Sequence, residues 1–170
     1  MLVRQAKLED AKTIAAIHVR SWQVAYQGIA PQAYLDSLSV ERRERFWQQT
    51  LEQGTSDTWV VEEGSKVLGW IAAARSRDPD AGPFIGEIWA IYVDPSDWRR
   101  GIGRLLWREA ERQLSTSGFS EVTLWVLKSN IPAIAFYEAN GFVVEPWSEK
   151  AITLGGAELV EIRLRKTLGG

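Results

Sequence analysis

The stretch Glu87-Ile88-Trp89-Ala90-Ile91-Tyr92-Val93-Asp94-Pro95-Ser96-Asp97-Trp98-Arg99-Arg100-Gly101-Ile102-Gly103-Arg104-Leu105-Leu106 decides how this chain is read. An apolar run ends at Asp94-Pro95, which reads as a strand cut by a turn. After a short polar segment and a Gly-x-Gly step, Ile102, Leu105, Leu106, Ala110 and Leu114 fall on one face of a helix over Gly101–Gly118. The backbone N–H groups of a helix start are free and carry partial positive charge, so such a start attracts anions. Glycine lets the anion come close, and Arg99, Arg100 and Arg104 add charge around it. A pyrophosphate is the natural guest, although two glycines at a helix start also serve as a plain tight turn. A dinucleotide loop needs a third glycine where Leu106 stands, and no Gly-Lys-Ser or Gly-Lys-Thr of a phosphate-loop NTPase occurs. A nucleotide-dependent kinase or dehydrogenase is disfavoured on those grounds.

Working outward, Leu2–Ala6 reads as a first strand, and a helix follows with Ile14, Ile17, Trp22 and Tyr26 at helical spacing. Pro31 opens a short helical turn through Leu35. Ser39 is the expected N-cap of a helix over Val40–Gln53. Thr58–Glu62 and Val67–Ala74 read as a hairpin across Glu63-Gly64-Ser65-Lys66. Arg75–Pro83 reads as a mobile or exposed loop, and Phe84–Val93 as a long strand. Beyond the central helix, Glu121–Leu127 is a strand with Val122, Leu124 and Val126 on one side. Ile131–Asn140 is a helix stopped by Asn140-Gly141, and Phe142–Trp147 and Ala157–Arg165 are the last two strands. With no repeat or linker, residues 1–170 form one α/β domain.

The 170 residues are 45% apolar and 25% charged, the balance of a globular domain. The absence of cysteine removes disulfides, thiolate zinc ligands and a thiol nucleophile. The lone histidine, His18, argues against a histidine metal site or a Ser-His-Asp triad, so no metal is expected. A net charge of -2 gives no general attraction to nucleic acid or anionic membrane. Without an apolar signal core or spanning segment, the expectation is a cytoplasmic protein. Most of the nine tryptophans are expected in the core or in pocket walls.

The strand–loop–helix, with Asn130-Ile131-Pro132-Ala133-Ile134-Ala135-Phe136-Tyr137-Glu138-Ala139-Asn140-Gly141-Phe142 after it, resembles the GNAT superfamily of N-acetyltransferases. The resemblance covers two motifs and the element order of nearly the whole chain. It implies a mixed central sheet of about six or seven strands flanked by about four helices, with strands four and five splayed apart. It implies acetyl-coenzyme A as cofactor, with pantetheine paired to the backbone of Ile91, Tyr92 and Val93. Pyrophosphate would lie on Arg99, Arg100, Gly101, Ile102, Gly103 and Arg104, and Asn130 would help to hold the cofactor. Tyr137 matches the tyrosine near the cofactor sulfur, where it would protonate the leaving thiolate. Trp98 departs from the family pattern, which has glutamine or arginine there.

Without cysteine, direct attack by an acceptor amine is the simple route, and the amine must lose a proton to a base or a water chain. Glu87 matches the catalytic glutamate of the histone-acetylating branch, and plain alternation puts it on one face with Trp89, Ile91 and Val93. A salt-bridged strand carboxylate is its alternative reading. In the branch acetylating ribosomal-protein N-termini, the glutamate position corresponds to Trp125 here, against that mechanism. His18 reads as structural rather than catalytic. Trp22, Tyr26 and Trp89 are expected as an aromatic wall able to hold a cationic amine, with core packing as the alternative. The expected acceptor is a small-molecule amine. A peptide acceptor and a non-catalytic acyl-coenzyme A sensor are the alternatives, and the resemblance allows a homodimer.

Overall fold

The structure, a computed structural model, describes residues 1–169. Strand β1 (Leu2–Gln5) leads through a 3-10 turn over Leu8–Asp10 into helix α1 (Ala11–Ala25), and the short helix α2 spans Gln32–Asp36. Helix α3 (Val40–Gln53) starts at Ser39, whose Oγ accepts the Arg42 N–H at 3.2 Å, and stops at left-handed Gly54. Strands β2 (Asp57–Glu63) and β3 (Lys66–Arg75) form the expected hairpin, and β4 covers Ile85–Val93. Helix α4 (Ile102–Thr116), strand β5 (Glu121–Leu127) and helix α5 (Ile131–Glu138) follow. The chain closes with β6 (Val143–Val144), β7 (Lys150–Leu154) and β8 (Ala157–Thr167).

All strands belong to one sheet of order β1-β2-β3-β4-β5-β8-β6, with β7 paired to β8. The β4–β5 pair is parallel and the other pairs are antiparallel. The apolar face of α4, with Ile102, Leu106, Ala110 and Leu114, packs with Val122, Leu124 and Val126 of β5 on one side of the sheet. Helices α1 and α3 cover the other side through Ile14, Ile17 and Trp47 against Val60, Trp70 and Ala72. Trp70 is fully buried, and its indole N–H is satisfied by the Ile14 carbonyl at 3.1 Å.

Two details of the sheet make the site. β4 and β5 pair only at Ile85–Glu121, Gly86–Val122 and Glu87–Thr123, so their C-terminal halves diverge and leave a wedge. Within β4, Ala90 faces Ala72 while Ile88 faces Ala73, so Trp89 is the extra residue of a bulge. A bulge bends its strand and resets side-chain alternation. The simple alternation expected for Glu87 is therefore corrected. Trp89, Ala90 and Tyr92 pack on the α1 side, whereas Ile91 and Val93 pack on the α4 side. Glu87 shares its side with Trp89 through Arg77, which bonds the carboxylate and lies 4.4 Å over the Trp89 ring.

Other departures have local causes. The expected strand over Phe142–Trp147 shrinks to Val143–Val144, because Pro146 supplies no donor and Trp147 takes φ 61°. Lys150–Leu154, to which the sequence reading assigns no element, is a strand because it completes a hairpin with β8 across Gly155-Gly156. The β3–β4 loop is exposed but tethered. The Arg77 backbone N–H donates to Glu87 at 2.9 Å, Asp78 accepts the Trp125 indole N–H at 3.0 Å, and Asp80 pairs with Arg163 at 2.8 Å. Arg163, only 9% exposed, also binds Asp78 and Glu145, so this one cation ties the loop to β8 and to the chain after β6.

Candidate active site

The wedge between β4 and β5 opens into a cleft of about 780 Å³. Its α4-side mouth is built by the loop after β4. Asp94, whose Oδ1 accepts the Ser96 N–H and hydroxyl, folds the chain back after the strand. Arg99 sits at φ 62° and Gly101 at φ 80°, so the peptide units turn sharply into α4. The first intrahelical donors to the Gly101 carbonyl are Arg104 and Leu105, which leaves the N–H groups of Ile102 and Gly103 without helical partners. A Cβ on Gly101 would meet nothing within 4 Å, so the space in front of the helix start is open. A Cβ on Gly103 would come within 3.1 Å of Phe136, so α4 and α5 approach closely there.

Arg99 and Arg104 line this mouth. Arg100 does not. Its guanidinium binds Asp97 at 2.5 Å and Glu63 at 2.7 Å, so the expected three-arginine cradle is corrected to two arginines and a backbone turn. Trp98, in the departing position, donates its indole N–H to the Val93 carbonyl at 2.8 Å, and Ser21 Oγ donates to the same carbonyl at 3.0 Å. The Asp94 N–H bonds Leu68 on β3, so alternation turns the backbone of Tyr92 toward β3 and that of Ile91 and Val93 toward the wedge. Of the three residues expected to pair with a pantetheine arm, only Ile91 and Val93 present backbone to the wedge. Val93 does so with its carbonyl already engaged.

Aromatic residues form the middle of the cleft. Trp22 donates its indole N–H to the Tyr92 hydroxyl at 2.7 Å, and its ring lies 4.9 Å from that of Tyr26. The polar ends of Tyr92 and Asn130 approach the Tyr26 hydroxyl and partly offset the burial that pushes its pKa up. Asn130 caps α5 by accepting the Ala133 N–H at 3.3 Å, which leaves its amide NH₂ facing the cleft group. Tyr137 lines the same cleft and packs its ring at 5.8 Å from Phe142. Burial, and then the nearby Tyr26, push the pKa of its phenol up, so it stays protonated at neutral pH. Trp22, Tyr26 and Trp89 all line the cleft, and each also packs against a core cluster.

Glu87 and His18 lie outside the lining. Glu87 is 2% exposed, and its carboxylate is occupied by the Arg77 guanidinium and backbone N–H. His18 stacks on Tyr92 at 4.9 Å, and neither ring nitrogen has a hydrogen-bond partner among the described residues. Burial, with Arg43 adding, lowers its pKa to about 3. The unfolded chain therefore binds a proton between pH 6.5 and 3 that the folded state refuses, and stability must fall as pH falls through that window. Between pH 7 and 5 the wild type is expected to lose about 2 kcal/mol more than His18→Phe in urea unfolding. Equal losses would mean that His18 gains a proton without unfolding.

Known proteins match the chain in sequence and in fold. The family model "Acetyltransferase (GNAT) family" matches residues 12–142. The chain belongs to the GNAT acetyltransferase family. An N-acetyltransferase of Bacillus subtilis named YuaI, itself uncharacterized, is 35% identical over 162 residues, 95% of this chain and 90% of that one. Spermidine N(1)-acetyltransferase of Thermoplasma acidophilum is 26% identical over 84% of this chain and 88% of its own. The crystal structure of PaiA N-acetyltransferase from the same archaeon, in complex with coenzyme A, superposes with a TM-score of 0.76, 23% identity and 98% coverage of both chains. This GNAT chain is accordingly an acetyl-coenzyme A-dependent N-acetyltransferase, and the two-arginine helix start with open space before Gly101 fits the cofactor's pyrophosphate. No helix among the described residues is long and apolar enough to cross a membrane.

Sequence reasoning missed Glu161, Trp125 and Ile152, which line the far end of the cleft. Only the alternating Val160–Arg165 segment signalled that Glu161 shares a face with Arg163, and nothing local said which face the cleft would use.

Proposed function

We propose that this acetyltransferase moves the acetyl group of acetyl-coenzyme A to a small-molecule primary amine, by direct attack within a ternary complex. The observation that carries the reading is a cleft with two chemically different ends. The α4-side mouth has free helix-start N–H groups, Arg99 and Arg104, while the α1 side is walled by Trp22, Tyr26 and Trp89. The first suits a pyrophosphate and the second a small organic amine.

When bound, acetyl-coenzyme A supplies an acetyl thioester, whose C–S bond is exchanged for an N–C bond to the acceptor while one proton passes from nitrogen to sulfur. Ile91 and Val93 offer the wedge-facing N–H groups for the pantetheine arm, in the manner of an added strand. Gly101, Ile102, Gly103, Arg99 and Arg104 hold the pyrophosphate, and Arg100 steadies the loop through Asp97. Asn130 keeps its amide NH₂ toward the cleft. Tyr137 carries the proton for the departing sulfur on its phenol hydroxyl. Glu87, tied to Arg77, keeps the β3–β4 loop against the cleft wall, and the acceptor proton leaves through water at the aromatic mouth. The spermidine enzyme among the relatives supports a small amine rather than a peptide.

Thermal unfolding tests the cofactor half of this reading. Acetyl-coenzyme A at 100 times its dissociation constant should stabilise the fold by about 2.7 kcal/mol, and ATP and NAD should leave the midpoint unchanged. A shift with ATP or NAD alone would overturn it. Release of free thiol with an amine panel then separates an enzyme from a coenzyme A sensor.

A further inference from the structure

Two carboxylates line the cleft among the described residues, Asp97 and Glu161. Asp97 sits at the cofactor mouth and is consumed by Lys66 at 2.7 Å and Arg100 at 2.5 Å. Glu161 stands at the opposite end. On β8 it faces Leu127 of β5 and Lys150 of β7 in register. Leu127 and Leu159 pack with Tyr26 and Leu35 on the α1–α2 side, whereas Ile162 and Leu164 point to the α4 side. The Glu161 carboxylate is thus on the acceptor side, close enough to Tyr26 for its charge to act on the phenol.

Glu161 makes no ion pair among the described residues. Its cross-strand neighbour Lys150 forms no ion pair with it and places its ammonium 5.0 Å from the Trp125 ring centroid. Burial raises the Glu161 pKa, with Lys150 acting in the opposite direction. A partly desolvated, unpaired carboxylate is unfavourable unless a cation joins it. The cleft is therefore polarised, with two unpaired arginines at the cofactor mouth and one unpaired carboxylate at the acceptor end.

We propose that Glu161 is the acceptor-recognition residue and selects positively charged amines over amines that carry a carboxylate. The proposal rests on the acetyl-transfer reading above and narrows its substrate class to cationic amines such as diamines and polyamines.

A matched pair of acceptors tests it, 1,6-diaminohexane against 6-aminohexanoate, with wild type, Glu161→Gln and Glu161→Lys. The wild type should favour the diamine in kcat/KM by at least ~100-fold, because an unpaired, partly desolvated charge both attracts the cation and repels the anion. Glu161→Gln should raise KM for the diamine at least ~10-fold while leaving kcat within about threefold. Glu161→Lys should narrow or invert the preference. Without any turnover, 1,6-diaminohexane should add to the thermal stability of the coenzyme A-bound wild type and add nothing to that of Glu161→Gln. Both variants should keep the wild-type shift with coenzyme A, which reports an intact fold. An unchanged diamine KM in Glu161→Gln, a fall in kcat alone, or a wild-type preference for 6-aminohexanoate would overturn the role of Glu161 and leave acetyl transfer standing. A wild type that binds acetyl-coenzyme A and acetylates no amine would overturn the acetyl-transfer reading, and this inference with it.

Discussion

Tyr137→Phe is expected to lower kcat about 100-fold, the lower end of what a positioned general acid contributes. The substitution removes one oxygen and leaves the ring in place against Phe136 and Phe142, so packing is kept. The phenol makes no hydrogen bond among the described residues that phenylalanine would orphan elsewhere. Burial holds the phenol protonated, which is the form an acid needs and the form a nucleophile would not want. Acetyl-coenzyme A affinity should therefore stay within about twofold, since only an interaction made in the transition state is lost. Single-turnover kinetics beside equilibrium binding separates the two effects. If kcat is unchanged, water protonates the sulfur and Tyr137 is merely a wall of the cleft. If affinity falls as far as kcat does, the hydroxyl holds the cofactor instead.

Gly101→Val is expected to weaken acetyl-coenzyme A binding at least ~30-fold, about 2 kcal/mol. Gly101 sits at φ 80°, a conformation that costs a side-chain-bearing residue roughly 1–2 kcal/mol. The added branches would also point into the open space before α4, where the helix-start N–H groups are aimed. The two contributions can be told apart. Strain appears as lost stability of the free protein, and steric exclusion appears as lost affinity at a temperature where the variant is fully folded. Gly101→Ala is the milder control, sharing the strain and adding little bulk. Wild-type affinity in the valine variant would mean that the pyrophosphate lies elsewhere, and Arg99 and Arg104 would then be surface charge.

Much of the fold was legible because its signals are local. Ser39 announces α3 because a hydroxyl three residues from a backbone donor is a short-range fact. Asp94-Pro95, Gly101 and Gly141 mark turns because φ is a property of one residue. The helix α4 stripe and the β5 alternation are periodicities, and both faced the core as expected. The strand-glycine loop-helix and the contact of Trp22 with Tyr26, four residues apart at the C-terminal end of α1, were visible for the same reason.

What the sequence could not decide depended on partners far along the chain. The bulge at Trp89 exists only in register with Ala72 and Ala73, and it moved Ile91 and Val93 to the face opposite Glu87. Arg100 left the cradle because Glu63, 37 residues away, lies across from it. Glu87 met Arg77 because the loop between β3 and β4 folds back over its own strand, drawn down by Asp80 on Arg163. Glu161 became a cleft carboxylate only because β4 and β5 part company and β8 fills the place beside β5. A sequence by itself determines periodicity, turns and caps, since each is settled within a few residues. Which charges end up paired and which are left bare at the cleft is decided by strand order and register, and those are properties of the assembled sheet.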